Sequence, residues 1–116
     1  SWCFAALDNE SVIAVCVVKP LSNGLAEIFN VAVYPHLQGQ GIGSYLLKSV
    51  LAQLPKKGIT RVELGTGTFG YQLTYYQRLG FRVDAIIKDH FLLNYPEPIY
   101  ENGVQHQDML RLYKQL

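Results

Sequence analysis

The sequence predicts an α+β domain: a mixed, mostly antiparallel sheet flanked by helices. Three observations point there. The first 33 residues hold three short apolar runs parted by polar turns. Two stretches with helical character follow, each behind a loop that contains glycine. Residues 109–114 alternate again and close the fold as a strand. The order β-β-β-α-β-α-β-loop-β mixes hairpins with crossovers. At 116 residues the chain fits a single domain, 1–116, with one core.

Residues 2–7 are apolar and bounded by Asp8-Asn9-Glu10-Ser11, and 12–19 are rich in valine and stop at Pro20. Together they read as a hairpin. With Asn9-Glu10 as a two-residue loop, Cys3 falls opposite Cys16, as a disulfide or as two reduced thiols. A turn at Leu21-Ser22-Asn23-Gly24 leads to a third strand, 26–33, ended by Tyr34-Pro35. Residues 36–40 are a loop. A helix runs from Gly41 to about Leu54, with Ile42, Leu46, Leu47, Val50, Leu51 and Leu54 on one face at the 3.6-residue period. Pro55 and Gly58 mark its end. Residues 59–64 form a strand, reached by a crossover and therefore parallel to 26–33. Thr66-Gly67-Thr68 reads as a loop with an N-cap, 71–79 as a helix stopped by Gly80 at C′, 81–88 as a strand, and 90–107 as a long irregular stretch.

Composition excludes several classes. Hydrophobic residues make up 49% and charged ones 16%, which argues against disorder. A net charge of +1 argues against nucleic-acid binding by bulk electrostatics. No apolar run approaches the ~20 residues that span a bilayer, so no membrane partner is expected. His90 and His106 lack the paired acid or cysteine spacing of a metal site, and no metal is expected. The chain opens on Ser1 rather than Met, as it would with an N-terminal piece missing or removed.

The most informative stretch runs from Asn30 to Gly43: a strand, a loop dense in glycine, then an amphipathic helix. Glycines let backbone N–H groups crowd an anion, and the helix N-terminus adds about half a positive charge. The loop lacks the lysine of a P-loop, and Ser44 stands where the Rossmann fingerprint needs its third glycine. A turn that merely permits close packing is the plain alternative. A third motif fits. Gln38-x-x-Gly41-x-Gly43 resembles the Gln/Arg-x-x-Gly-x-Gly/Ala signature of the GNAT superfamily of N-acetyltransferases. The preceding Val31-Ala32-Val33-Tyr34-Pro35 looks like that family's fourth strand, and Tyr75-Tyr76-Gln77-Arg78-Leu79-Gly80-Phe81 resembles its aromatic-Tyr-x-x-x-Gly-Phe segment. The resemblance extends over nearly the whole chain.

The resemblance implies an N-acetyltransferase that moves an acetyl or short acyl group from acetyl-CoA to a primary amine by direct attack. It implies that the coenzyme A phosphates sit on the amides of Gln38, Gly39, Gln40, Gly41, Ile42 and Gly43, with Ser44 close by. The pantetheine arm would pair with the backbone of Val31, Ala32 and Val33, as an added strand does. Tyr76 matches the general acid. A phenol with pKa ~10 stays protonated at neutral pH and can donate to a thiolate as the C–S bond breaks. Tyr76 equally fits a core tyrosine, sharing a helical face with Phe69 and Leu73. Glu27 matches the catalytic glutamate of some members and equally fits an exposed strand glutamate. His36 could bind phosphate but reads as a solvated loop residue, and Arg78 could reach the ribose phosphate of the cofactor but reads as a surface charge near a helix end.

Two departures matter. The family's opening strand and two helices have no counterpart in these residues, and Thr66-Gly67-Thr68 stands where many members carry an asparagine. The alternative function is therefore a truncated, non-catalytic module that binds coenzyme A or acyl-CoA. The expected partners are a small-molecule or peptide amine and, through the edge strand 2–7, a homodimer. The expected location is cytoplasmic.

Overall fold

The computed structural model describes all 116 residues, Ser1–Leu116. They form two compact units, Ser1–Val62 with Gln115–Leu116, and Glu63–Lys114.

The first unit is an antiparallel meander of β1 (Trp2–Asp8), β2 (Ser11–Ser22) and β3 (Leu25–Val33), in that order. Asn9 and Glu10 both have positive φ, 49° and 73°, as a two-residue type I′ turn requires. The expected position of Cys3 directly opposite Cys16 is corrected, while the reading of two reduced thiols stands. Leu7 pairs with Val12 but Ala6 with Ala14, so Ile13 bulges out and the register slips by one. Cys3 then faces Val17 and Phe4 faces Cys16. A slip of one residue changes the face, and the two thiols are free, Cys16 buried and Cys3 exposed. β2 also runs through Pro20 to Ser22, beyond the expected stop. The ladder skips between Pro20 and Ser22, which is where a residue without an N–H is tolerated.

A 3-10 turn (Pro35–Leu37) leads to α1 (Ile42–Gln53), and a second 3-10 turn (Leu54–Lys57) ends at Gly58 with φ 83°. The apolar face expected of α1 is buried at Leu46, Leu47, Val50 and Leu51, with Leu54 beyond it. The helix packs on all three strands, where the buried row Ala14, Cys16 and Val18 alternates along β2. Each large apolar side chain contributes about 1.5–3 kcal/mol when fully buried.

The second unit holds the strand order β4-β8-β5 and a separate hairpin. Its elements are α2 (Tyr71–Arg78), β5 (Arg82–Ile87), α3 (His90–Asn94), β6 (Tyr100–Glu101) and β7 (Val104–Gln105), with all but the first two residues of β4 (Arg61–Gly67) and all but the last of β8 (Met109–Gln115). β5 and β8 are antiparallel, with Arg82 opposite Tyr113 and Ile87 opposite Met109. Two expectations are corrected here. Residues 90–107 are not irregular: they contain α3 and a hairpin whose Asn102-Gly103 turn has φ 53° and 76°. Thr66 and Gly67 lie in β4 rather than a loop. Glycines disguise that strand end, but they are there for space: a Cβ on Gly65 would overlap Met109, and one on Gly67 the His106 ring.

Candidate active site

In the first unit the glycine loop joins β3 to α1. Gly39 and Gly41 have φ of 81° and 82°, left-handed conformations that favour glycine, and a Cβ on either would meet nothing within 4 Å. The space in front of the loop is therefore open. Gly41 is the N-cap of α1 and offers no side chain to the first turn, which carries no acidic residue either. The early amides of α1 have no partner inside the helix and point out of its positive end. Gly43 serves packing instead. A Cβ there would come within 3.3 Å of Val33 and 3.8 Å of Val31, so its absence lets α1 lie close on β3. The motif points to the amide of Gln38, but its side chain also works, donating from Nε2 to the Val33 carbonyl at 3.2 Å. It ties the loop back to the strand it leaves. Gln38, Gly39, Gln40 and Gly41 are exposed, and Ile42, Gly43 and Ser44 half-buried.

β3 itself is bulged. Val17 pairs with Asn30 but Val18 with Ile28, leaving Phe29 over. Directly opposed residues share a face, so Ala26, Ile28, Val31 and Val33 lie on the face of buried Cys16 and Val18. Glu27, Asn30 and Ala32 lie on the other, with Glu27 opposite Lys19. Counting from the sequence alone puts Glu27 on the face of Val31; the bulge moves it to that of Ala32. Beside this strand a cavity of about 290 Å³ is lined by Val12, Val15, Ala32, Val33 and Pro35 among others. His36 is exposed, its ring 5.8 Å from Tyr34.

In the second unit α2 presents Tyr76, its one buried residue. The ring meets Phe81 edge-on at 5.8 Å and Tyr75 at 5.2 Å. Tyr75 also stacks on Tyr71 at 6.0 Å, the i, i+4 neighbour expected. The helix ends as the sequence expects, with Gly80 at φ 97°. The Phe81 amide donates to the Tyr76 carbonyl at 3.1 Å and the Gly80 amide to the Gln77 carbonyl at 3.0 Å, a complete Schellman cap. Arg78 is exposed.

Sequence reasoning missed the group at the other end of α2. The N-cap Gly70 has no side chain, and no capping bond comes from within the helix. Glu101 supplies one from β6: its Oε2 accepts the Tyr71 amide at 3.3 Å. Its Oε1 lies 2.9 Å from His106 Nε2. His106 is buried, stacked on Phe69 at 4.1 Å between centroids and 8° between planes. These two bonds hold the Glu101 carboxyl below the usual carboxylate range, the His106 bond most. The signal that could have found it is the Asn102-Gly103 hairpin, which turns Glu101 back alongside Val104.

No group of three or more His, Cys, Asp or Glu is arranged to hold a metal ion, and no helix is long and apolar enough to cross a membrane.

Comparison with known proteins gives these features a family. A family model described as the acetyltransferase (GNAT) family matches residues 1–81. An uncharacterized N-acetyltransferase of Bacillus subtilis (strain 168), YvbK, is 39% identical over 115 residues, 98% of this chain and 74% of its own. Among solved structures, a GNAT family acetyltransferase from Elizabethkingia anophelis with acetyl-CoA bound superposes with a TM-score of 0.92 at 40% identity. The alignment covers 98% of this chain and 75% of that one. A Bacillus subtilis acetyltransferase in complex with CoA gives 0.91 at 39% identity, covering 98% and 76%.

Proposed function

Because the chain belongs to the acetyltransferase (GNAT) family, an enzyme family using acetyl-CoA, we propose that its own residues divide the work of N-acetyl transfer as follows. The amides of Gln38, Gly39, Gln40, Gly41, Ile42 and Gly43, with Ser44, bind the phosphates of the cosubstrate. The backbone of Val31, Ala32 and Val33 pairs with its pantetheine arm. Tyr76 is the acid and Glu27 the base, directly or through water. The carrying observation is the loop: two glycines held in left-handed conformations, open space before them, and a helix N-terminus with neither a cap side chain nor an acid.

The chemistry follows from the groups. The amine loses a proton toward Glu27 and its nitrogen forms a bond to the thioester carbonyl carbon. The C–S bond breaks, and the Tyr76 hydroxyl gives its proton to the departing sulfur. The products are an amide and a free coenzyme A thiol. A phenol suits this because it is still protonated at pH 7 and its proton is needed only as the C–S bond breaks. Neither cysteine belongs to these groups, so no acyl-enzyme is invoked. The acceptor is a primary amine, on a small molecule or a peptide. Two free thiols are in keeping with a reducing, cytoplasmic setting.

The relatives are N-acetyltransferases, so the non-catalytic alternative is not favoured. Thermal unfolding with and without acetyl-CoA tests the binding half. Ligand at 100 times Kd should stabilise the fold by about 2.7 kcal/mol. Unchanged unfolding at millimolar acetyl-CoA would remove the assignment of the loop.

A further inference from the structure

α2 is eight residues long, too short to hold itself together in water. Its C-terminal end is fixed by the Gly80–Phe81 cap. Its N-terminal end depends on a carboxylate thirty residues away in sequence. A capping acid normally comes from the N-cap residue or the first turn, and here the N-cap is Gly70 and the first turn has no acid. The Glu101 carboxylate sits in the place such a side chain would take: a Cβ on Gly70 would run into it.

The carboxylate is itself held. His106 Nε2 lies 2.9 Å from Oε1 and, facing an ionised acceptor, carries the ring proton. The His106 side chain is only 8% exposed. Phe69 lies flat against it at 4.1 Å, and Phe91 comes within 5.5 Å. Gly67 leaves room for the ring, since any Cβ there would overlap it. Nδ1 is buried without a hydrogen-bond partner. The hydrogen bond that the ring makes is the one to Glu101. The run Gly67-Thr68-Phe69-Gly70 is thereby accounted for residue by residue, Thr68 apart: room for His106, a face for His106, and room for Glu101.

We propose that Glu101, braced by His106, is a positioning residue for the acid: it fixes the first turn of α2, where the Tyr71 ring stacks on Tyr75 and Tyr75 in turn meets Tyr76 edge-on, and so holds the N-terminal side of the Tyr76 ring. This rests on Tyr76 being the acid. Removing the clasp leaves the amides of the first turn uncapped and lets that turn fray, which loosens the Tyr71–Tyr75 stack against the Tyr76 ring, while the Schellman cap keeps the helix attached. The effect belongs in kcat, because the proposed cosubstrate groups lie on other elements.

The test is a double-mutant cycle on the folded enzyme, below the unfolding transition of every variant, with a primary amine that the parent acetylates. Glu101→Ala should lower kcat about tenfold and leave Kd for acetyl-CoA within twofold. In a Tyr76→Phe background the same change should cost little more, because the group it positions is already gone. His106→Gln, which keeps an N–H for Oε1, should retain most of the parent's kcat. Equal losses from Glu101→Ala in both backgrounds, or an unchanged kcat, would overturn the positioning role. Tyr76→Phe turning over at the parent's rate would overturn the acid assignment, and the positioning role with it. If Glu101→Ala does not fold, Glu101→Gln carries the same cycle, keeping one acceptor of two, with about a threefold loss expected in the parent background and none in Tyr76→Phe.

Discussion

Phe81 holds Tyr76 twice: its amide donates to the Tyr76 carbonyl at 3.1 Å, and its ring meets the phenol edge-on at 5.8 Å. The spacing Tyr-x-x-x-Gly-Phe is therefore the spacing of a Schellman cap, in which Tyr76 is the third residue from the end, Gly80 turns left-handed, and Phe81 folds back over the helix. The segment that resembles the family's motif is thus also the one that holds the phenol from the C-terminal side of the helix.

Gly80→Ala should accordingly destabilise the protein. A residue with a Cβ at φ 97° costs about 1–2 kcal/mol. The added methyl would meet only the end of the Lys114 side chain, which can move. The loss is thus one of backbone strain, measurable in urea unfolding. A variant as stable as the parent would mean that the turn is not held in this conformation.

Gly41→Glu should abolish stabilisation by acetyl-CoA while the protein stays folded. A side chain at φ 82° enters open space rather than packed atoms, and its negative charge faces the site proposed for phosphates. A thermal shift as large as the parent's would reduce the loop to a turn.

Much of this fold is legible in sequence. The apolar period of α1, the Gly80 stop, the Asn9-Glu10 turn and the glycine loop all carry local signals, and all four stand in the structure. What is not legible is whatever depends on an unpaired residue or on contacts far apart in sequence. Bulges at Ile13 and Phe29 leave no compositional trace, yet each flips a face, moving Cys3 away from Cys16 and Glu27 away from Val31. The end of β4 is hidden because its last residues include two glycines whose reason is Met109 and His106 on other segments. Glu101 reads as a loop residue because its two partners lie five and thirty residues away.

Acid should weaken the clasp. The bonds from His106 and from the Tyr71 amide favour the ionised carboxylate, so the folded pKa of Glu101 lies below the 4.5 of the free group. A depressed folded value means that the stabilisation is present above about that pH and is lost as pH falls through the folded value. The thermal midpoint of the parent should therefore drop, as pH falls through and below 4.5, more steeply than that of Glu101→Gln. Parallel curves would show that the carboxylate is not held by these bonds.

The thiols should differ in reactivity. Burial, and then the charge of Cys3, push Cys16 up to about 11. Iodoacetamide at about pH 8 should alkylate the exposed Cys3 in the native protein and the buried Cys16 only after unfolding, as counted by mass. Because the folded value is raised above the ordinary 9.0, the Cys16 contribution to stability is complete below that pH and is lost as pH rises toward 11. Two labels on the native protein, or a disulfide between the two, would contradict the register of β1 on β2.

The most direct measurement of the catalytic assignment is turnover by Tyr76→Phe beside Tyr75→Phe, on an amine the parent acetylates. Removing one hydroxyl keeps the edge-on packing against Phe81. Cofactor affinity should hold, and kcat should fall about 10²–10⁴-fold, roughly 2.7–5.5 kcal/mol of barrier, the usual worth of a positioned acid. Tyr75→Phe, whose ring stacks on Tyr71, should stay near the parent. If Tyr76→Phe and Tyr75→Phe both turn over at the parent's rate, Tyr76 is a core residue and the proton for the departing thiolate comes from elsewhere.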